Sequence, residues 1–511
     1  MDNNITLSRL DTMDVDCVVK DPPESGSTLN DQNDMSRMGK VQEFKVSLKS
    51  KVVESFIDNI EAQLSPVSSI KLLGCFAGHV GVYFNGLQNG GFAGLFWSFV
   101  WTFFGFGFII VSLAEMASMA PTSGGQYHWV SEFAPARHQK FLSYTTGWMS
   151  VLAWQAGAAS GSFLTGTIIQ GLISIRDPSY KPQNWQGTLF VFAMIAIIYF
   201  FNVHAANWIP RIQNLLLALH LMSWVIVVVV LFVMTPQQPA KVVFTEFYNG
   251  GSDATAHMSE EVKDAGRYVP IAIAWGYFGN GILAIIVLVG LLLSIPSVPA
   301  ALKDSSGFPF LYVFRNTLSL AGVNGLASTI LIPVIFSNIL FNASTARQTH
   351  AFARDKGLPF AEWISHVDRR RRIPVRAIFL SCLISGLLSV INIGSTVAFN
   401  AIISLNVAAL MYTYAISISC VIYRKIHCPE TLPPRRWSMG RLGLSINIIG
   451  LVYVCFALFW SFWPPTPSVT AEDFNWSVVI FVGIFILSLM VYAFQGRYQY
   501  VGPVVIVQRR E

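Results

Sequence analysis

Charge is what this chain has least of. Asp, Glu, Lys and Arg make up only 12% of its 511 residues, where a soluble domain carries about 25%. Hydrophobic residues make up 53%, so the deficit places most of the chain in a membrane. Cysteine is sparse too. The six cysteines (Cys17, Cys75, Cys382, Cys420, Cys428, Cys455) are scattered and mostly apolar in context. With no C-x-x-C or Cys/His spacing, neither a disulfide framework nor a zinc site is expected. Residues 1–64 lack the apolar core of a signal peptide. No G-x-S-x-G, H-E-x-x-H or G-x-x-x-x-G-K-[ST] occurs, which argues against an enzyme and an ATP-driven pump. No cofactor is expected. The net charge of +6 gathers in a few loops, and so reports topology rather than nucleic-acid binding.

Long apolar runs are what the chain does have. Each crossing needs about 20 apolar residues. Candidate spans are Ile70–Leu87 (weak, glycine-rich), Phe92–Met116, Phe141–Ile175, Trp185–Val203, Leu215–Met234, Pro270–Leu293, Leu320–Ser344, Ala377–Ile393, Phe399–Ile422, Leu442–Phe462 and Trp476–Phe494. The expected division is a polar, disordered cytosolic tail over 1–64, a membrane domain over 65–495 and a cytosolic C-terminal tail over 496–511.

Basic residues fix the expected orientation. Arg137, His138 and Lys140 follow one span. Arg347, Arg354, Lys356, Arg369–Arg372 and Arg376 follow another. Arg424, Lys425, Arg435, Arg436 and Arg441 follow a third, and Arg497, Arg509 and Arg510 end the chain. All four groups are expected on the cytosolic side. An even number of crossings must then separate the first two groups, yet the spans between them are Phe141–Ile175, Trp185–Val203, Leu215–Met234, Pro270–Leu293 and Leu320–Ser344. One crossing is missing, and Thr235–Val269 is the only interval without an apolar run.

Two motifs carry a family resemblance. Ser112-Leu-Ala-Glu-Met-Ala-Ser-Met-Ala-Pro-Thr-Ser-Gly-Gly-Gln-Tyr-His-Trp129 resembles the helix-2 signature of the amino acid–polyamine–organocation superfamily, in its fungal amino acid/choline branch (γ-aminobutyrate and choline permeases among them). Ala256-His-Met-Ser-Glu-Glu-Val-Lys263 and Val269-Pro270 resemble the segment after that branch's helix 6. The resemblance covers roughly Leu64 to Gln495. It implies an all-α inverted-repeat bundle of twelve helices, of which about eleven are visible. It also implies a permease working by alternating access and not an enzyme, with a small amine substrate and proton coupling. The branch's helix 6 would stand between Asn-Gly-Gly251 and Asp253-Ala, where Gly251 here runs straight into Ser252. Amino acids come first as substrate and choline or a polyamine second, in a plasma-membrane protein with both termini cytosolic. A non-transporting relative, or a chain that has lost a helix, is the competing expectation.

Polar residues inside spans are the candidate site, because lipid makes them costly. Gly74, Gly78 and His79 lie where the family's unwound first helix would bind a carboxylate. Trp154 and Gln155 offer an aromatic face and an amide. Asn338 and Asn342 share a helical face. Each has a packing alternative, since amides and aromatics also join helices. Glu115, the Gly124–Gly125 turn, Glu260, Glu261 and Arg354 are candidate gate or structural residues.

Overall fold

The computed structural model describes Leu87 and residues 91–504, except 123, 178, 246–264, 305, 369, 372, 395–397 and 464–473. The expected N-terminal tail, the first span with Gly74, Gly78 and His79, and the pair Glu260 and Glu261 lie outside the described residues.

Among the described residues the chain is helical, with no strand. Eleven helices organise it: α1 (Gly91–Met119), α2 (Gln126–Phe133), α3 (Gln139–Arg176), α4 (Asn184–His204), α5 (Ile209–Val229), α6 (Ala265–Ser294), α7 (Leu320–Arg354), α8 (Val375–Gly394), α9 (Ala398–His427), α10 (Gly443–Ser461) and α11 (Ser477–Val491). Nine helices among the described residues are long and apolar enough to cross a membrane, and Ala218–Met234 is a shorter apolar helix.

α3 is the hub: 67% of its most apolar stretch is buried, against 11% for Ser477–Gln499. It packs on α7, α8 and α9, while α1 packs on α6 and α10. One expected boundary is corrected. The span begun at Leu320 continues helically past Ser344 to Arg354. Its last turns, with Ala346, Ala351 and Phe352 buried, are sheltered by protein, whereas apolar-run length gauges only the lipid.

Contacts sort the helix ends onto two faces. The basic face gathers the end of α1, α2, the start of α3, the ends of α7 and α9, the start of α10 and the C-terminal segment. Lys425 Nζ meets Glu115, Tyr127 meets Asp355, and Lys140 Nζ donates to the Arg497 carbonyl at 2.7 Å. Arg371 reaches the Val203 carbonyl at the end of α4, and Asp368 organises that loop by accepting from the backbone N–H of Arg370 and Arg371. These bonds, with a neighbouring Arg371 and His366, hold the Asp368 carboxyl below its ordinary range.

The far face holds the start of α1, where Trp97 donates to the Phe244 carbonyl. It also holds the junction of α3 with α4, the end of α8, and the join of α10 to α11. There Asn475 Nδ2 donates to the carbonyls of Ser461 and Trp463, and its Oδ1 accepts from Ser477. Asn475-Trp476-Ser477 has the glycosylation triplet, but its amide is 7% exposed and fully engaged. Endoglycosidase treatment is therefore expected to leave the electrophoretic mobility unchanged. A shift abolished by Asn475→Gln would show that the amide is released.

One pair of helices breaks the alternation. Thr235, just after α5, bonds Ser294, the last residue of α6, at 2.6 Å, and Trp224 Nε1 donates to the Leu283 carbonyl. α5 and α6 therefore run parallel, and both end on the far face. Ile273, near the start of α6, packs instead with Leu113 and Ile418 toward the basic face. The chain must return from far face to basic face between Thr235 and Ala265, the interval in which the positive-charge count expects a missing crossing.

Candidate functional site

The basic face is closed by two linked clusters. α1 cannot continue through Pro121. The chain turns at Gly125, whose φ of 52° suits a residue without a Cβ, and Trp129 Nε1 braces the turn by donating to the Ala120 carbonyl at 2.8 Å. That geometry fixes Glu115, 1% exposed, near the end of α1. Lys425 Nζ donates to its Oε2 at 2.5 Å and to Asn447 Oδ1 at 2.7 Å. Arg435 Nη1 stands 3.5 Å from Oε1. Ser118 Oγ accepts from the backbone N–H of Arg436 and Trp437. α1, α9 and α10 are thereby joined around one buried carboxylate.

The second cluster lies beside Arg354. Tyr127 donates to Asp355 Oδ2 at 2.9 Å, Arg354 Nε stands 3.9 Å from Asp355 Oδ1, and Ser143 Oγ bonds both the Tyr127 carbonyl and the Tyr500 hydroxyl. Burial first, and the Asp355 carboxylate next, push both phenols above their ordinary value, so both remain neutral donors at physiological pH.

Deeper in the bundle, α3 and α7 form a polar seam. Trp154 stacks on Phe341 with centroids 4.8 Å apart, and its carbonyl accepts from Thr345. Gln155 Nε2 donates to Thr349 and Ser381, at 3.0 Å each. Asn338 Nδ2 donates to the Gly161 carbonyl and Thr165 Oγ1 at 2.8 Å, and to the Val334 carbonyl. Asn406 Nδ2 ties α9 to the Ala153 carbonyl. Three acceptors of the seam are left over: among the described residues, Gln155 Oε1, Asn342 Oδ1 and Gln348 Oε1 are buried with no hydrogen-bond partner.

The structure thus brings Trp154, Gln155, Asn338 and Asn342 to one seam, and Glu115, Gly124, Gly125 and Arg354 to the basic-face closure. It engages Asn338 Nδ2 across helices, with Gly161 and Thr165 of α3. A Cβ at Gly161 would lie 1.8 Å from Asn338 Oδ1, so Gly161→Ala must expel that amide. It is expected to cost about 1–3 kcal/mol, read as a lower melting temperature in detergent. Adding Asn338→Ala should recover part of the loss; a fully additive double variant would separate the two positions. Sequence reasoning missed Asn447, Ser143, Asp355 and Tyr500 as partners. They bond residues up to 357 positions away, and no local pattern signals such pairs.

A polytopic helical bundle with a polar seam between long helices and ion-paired closure on one face is the architecture of a membrane transporter. The sequence matches the profile of the Amino acid permease family over residues 64–485, and the chain belongs to that family, within the amino acid–polyamine–organocation superfamily. It is 28% identical to a putative amino acid/polyamine transporter of Macrophomina phaseolina, over 78% of this chain and 93% of that one. It is also 28% identical to an uncharacterized amino-acid permease of Schizosaccharomyces pombe, over 85% and 84%. The choline transporter of Saccharomyces cerevisiae is 25% identical over 76% and 73%.

Proposed function

We propose that this transporter carries an amino acid by alternating access, coupled to protons, with the substrate ammonium held at the α3–α7 seam. The carrying observation is the pair of buried acceptors, Gln155 Oε1 and Asn342 Oδ1, beside the Trp154–Phe341 stack. A primary ammonium donates hydrogen bonds to such oxygens and also sits well on an aromatic face. Gly74, Gly78 and His79 would supply backbone N–H groups to the carboxylate, as helix termini do in this fold. Glu115, the Gly124–Gly125 turn and Arg354, with Glu260 and Glu261, would close the inner gate.

Choline is the second reading, favoured by the aromatic stack. Its quaternary nitrogen has no N–H to offer the two amides. Competition of labelled amino acid uptake by choline, in a permease-deficient host expressing the chain with a span inserted between Gly251 and Ser252, separates the readings. Asn342→Leu in that chain should raise KM for the amino acid by about tenfold; an unchanged KM would remove Asn342 from the site.

The basic face is the cytosolic one in this proposal, with the tails 1–64 and 496–511 in the cytosol, the membrane domain at 65–495, and the plasma membrane as location. A cysteine placed at Arg370 should not react with an impermeant thiol reagent on intact cells. Rapid labelling there would invert the topology.

A further inference from the structure

The segment following the last membrane helix is not a free tail. Tyr500 is 1% exposed. Its ring packs edge-on against Tyr144 at 5.2 Å and against Phe352 at 5.8 Å, and its hydroxyl lies 2.7 Å from Ser143 Oγ. The backbone around it is held as well. The Arg497 carbonyl accepts from Lys140, Val501 N–H donates to the Asp355 carbonyl at 3.4 Å, and Val504 N–H reaches Ser131 Oγ at 3.5 Å.

These anchors fall on both sides of one divide. Ser131 belongs to α2, which α1 carries through the Gly125 turn. Phe352 and Asp355 belong to the end of α7, packed on α3. Tyr127 on α2 bonds Asp355 directly across the same divide. Any motion that opens the basic face by carrying α2 away from the end of α7 must break that bond and the strap together.

We propose that residues 497–504 are a latch, an intramolecular strap that holds the basic face closed and must leave its seat before that face opens. This rests on the reading that the basic face opens during transport, but its test needs no transport. Burial first, and the Asp355 carboxylate next, raise the Tyr500 phenol above its ordinary value, so its ionisation does not release the strap at physiological pH. Release would instead come from a competitor for the Tyr500 seat or from modification of the strap.

The experiment places spin labels at Glu362→Cys and Arg441→Cys, both exposed on the basic face, in full-length protein with its native cysteines replaced, in lipid nanodiscs. Tyr500→Phe removes only the hydroxyl bond and should raise the long-distance population about three- to tenfold. Tyr500→Ala should raise it further. Ser143→Ala, which also frees the Tyr127 carbonyl, should raise it at least as far as Tyr500→Phe, and adding Tyr500→Phe to it should add nothing more. Distance distributions unchanged in Tyr500→Phe and Tyr500→Ala would overturn the latch. A chain with a span inserted between Gly251 and Ser252 that shows the shifts but no uptake would leave the latch standing and count against the proposed transport.

Discussion

Saturable amino acid uptake is expected from a chain with about 20 apolar residues inserted between Gly251 and Ser252, and not from the chain of 511 residues. The reason is geometric. α5 and α6 are parallel neighbours ending together at Thr235 and Ser294, so the chain between them must recross the membrane. The inner part of that interval, 246–264, lies outside the described residues, but its chemistry is plain. Thr235–Val269 carries Lys241, Lys263, Arg267, Glu246, Asp253, Glu260, Glu261 and Asp264. At about 2.5–3.5 kcal/mol for each Arg, Lys or Asp at a span centre, a membrane passage through these residues is opposed by many kcal/mol. The alternative, inverting everything after α5, would carry Arg354, Lys425, Arg435 and Arg497 across and separate Glu115 from Lys425. Uptake measured side by side for the two chains decides the matter. Equal, saturable uptake by the uninserted chain would show that the bundle works without an apolar return span.

Lys425→Met should be the most damaging point substitution on the basic face. It leaves the Glu115 carboxylate 1% exposed, with only Arg435 at 3.5 Å to compensate it. It also takes the donor from Asn447 Oδ1. Breaking one side of a buried pair costs about 3–5 kcal/mol, enough to abolish most folded protein given ordinary marginal stability. Glu115→Gln combined with Lys425→Met removes the stranded charge and should recover much of the loss. The check is a thermal melt and folded yield in detergent for both singles and the double. If Lys425→Met melts like the parent, water or Arg435 suffices to solvate Glu115, and the closure is not built on that pair.

Ten of the expected spans match described helices to within a few residues at most ends, because twenty apolar residues in a row have few alternatives. The need for a return between α5 and α6 was also legible, since loop charge fixes parity without any knowledge of packing. The interior of the site was legible only as candidates. Asn338 and Asn342 look equivalent in sequence, four residues apart on one face. In the fold Asn338 faces Gly161 and donates three bonds, while Asn342 Oδ1 is left without a donor among the described residues. Nothing local separates them; the difference is what α3 presents opposite each.

The sequence by itself determined the membrane class, the family and the helix order, because hydropathy and motif are properties of short stretches. Only the tertiary structure decided which partner each polar residue takes. Glu115 with Lys425 and Asn447, Tyr127 with Asp355, and Tyr500 with Ser143 are pairs brought together by helix packing. A hydrogen bond depends on a few tenths of an ångström between residues whose separation along the chain carries no record of it.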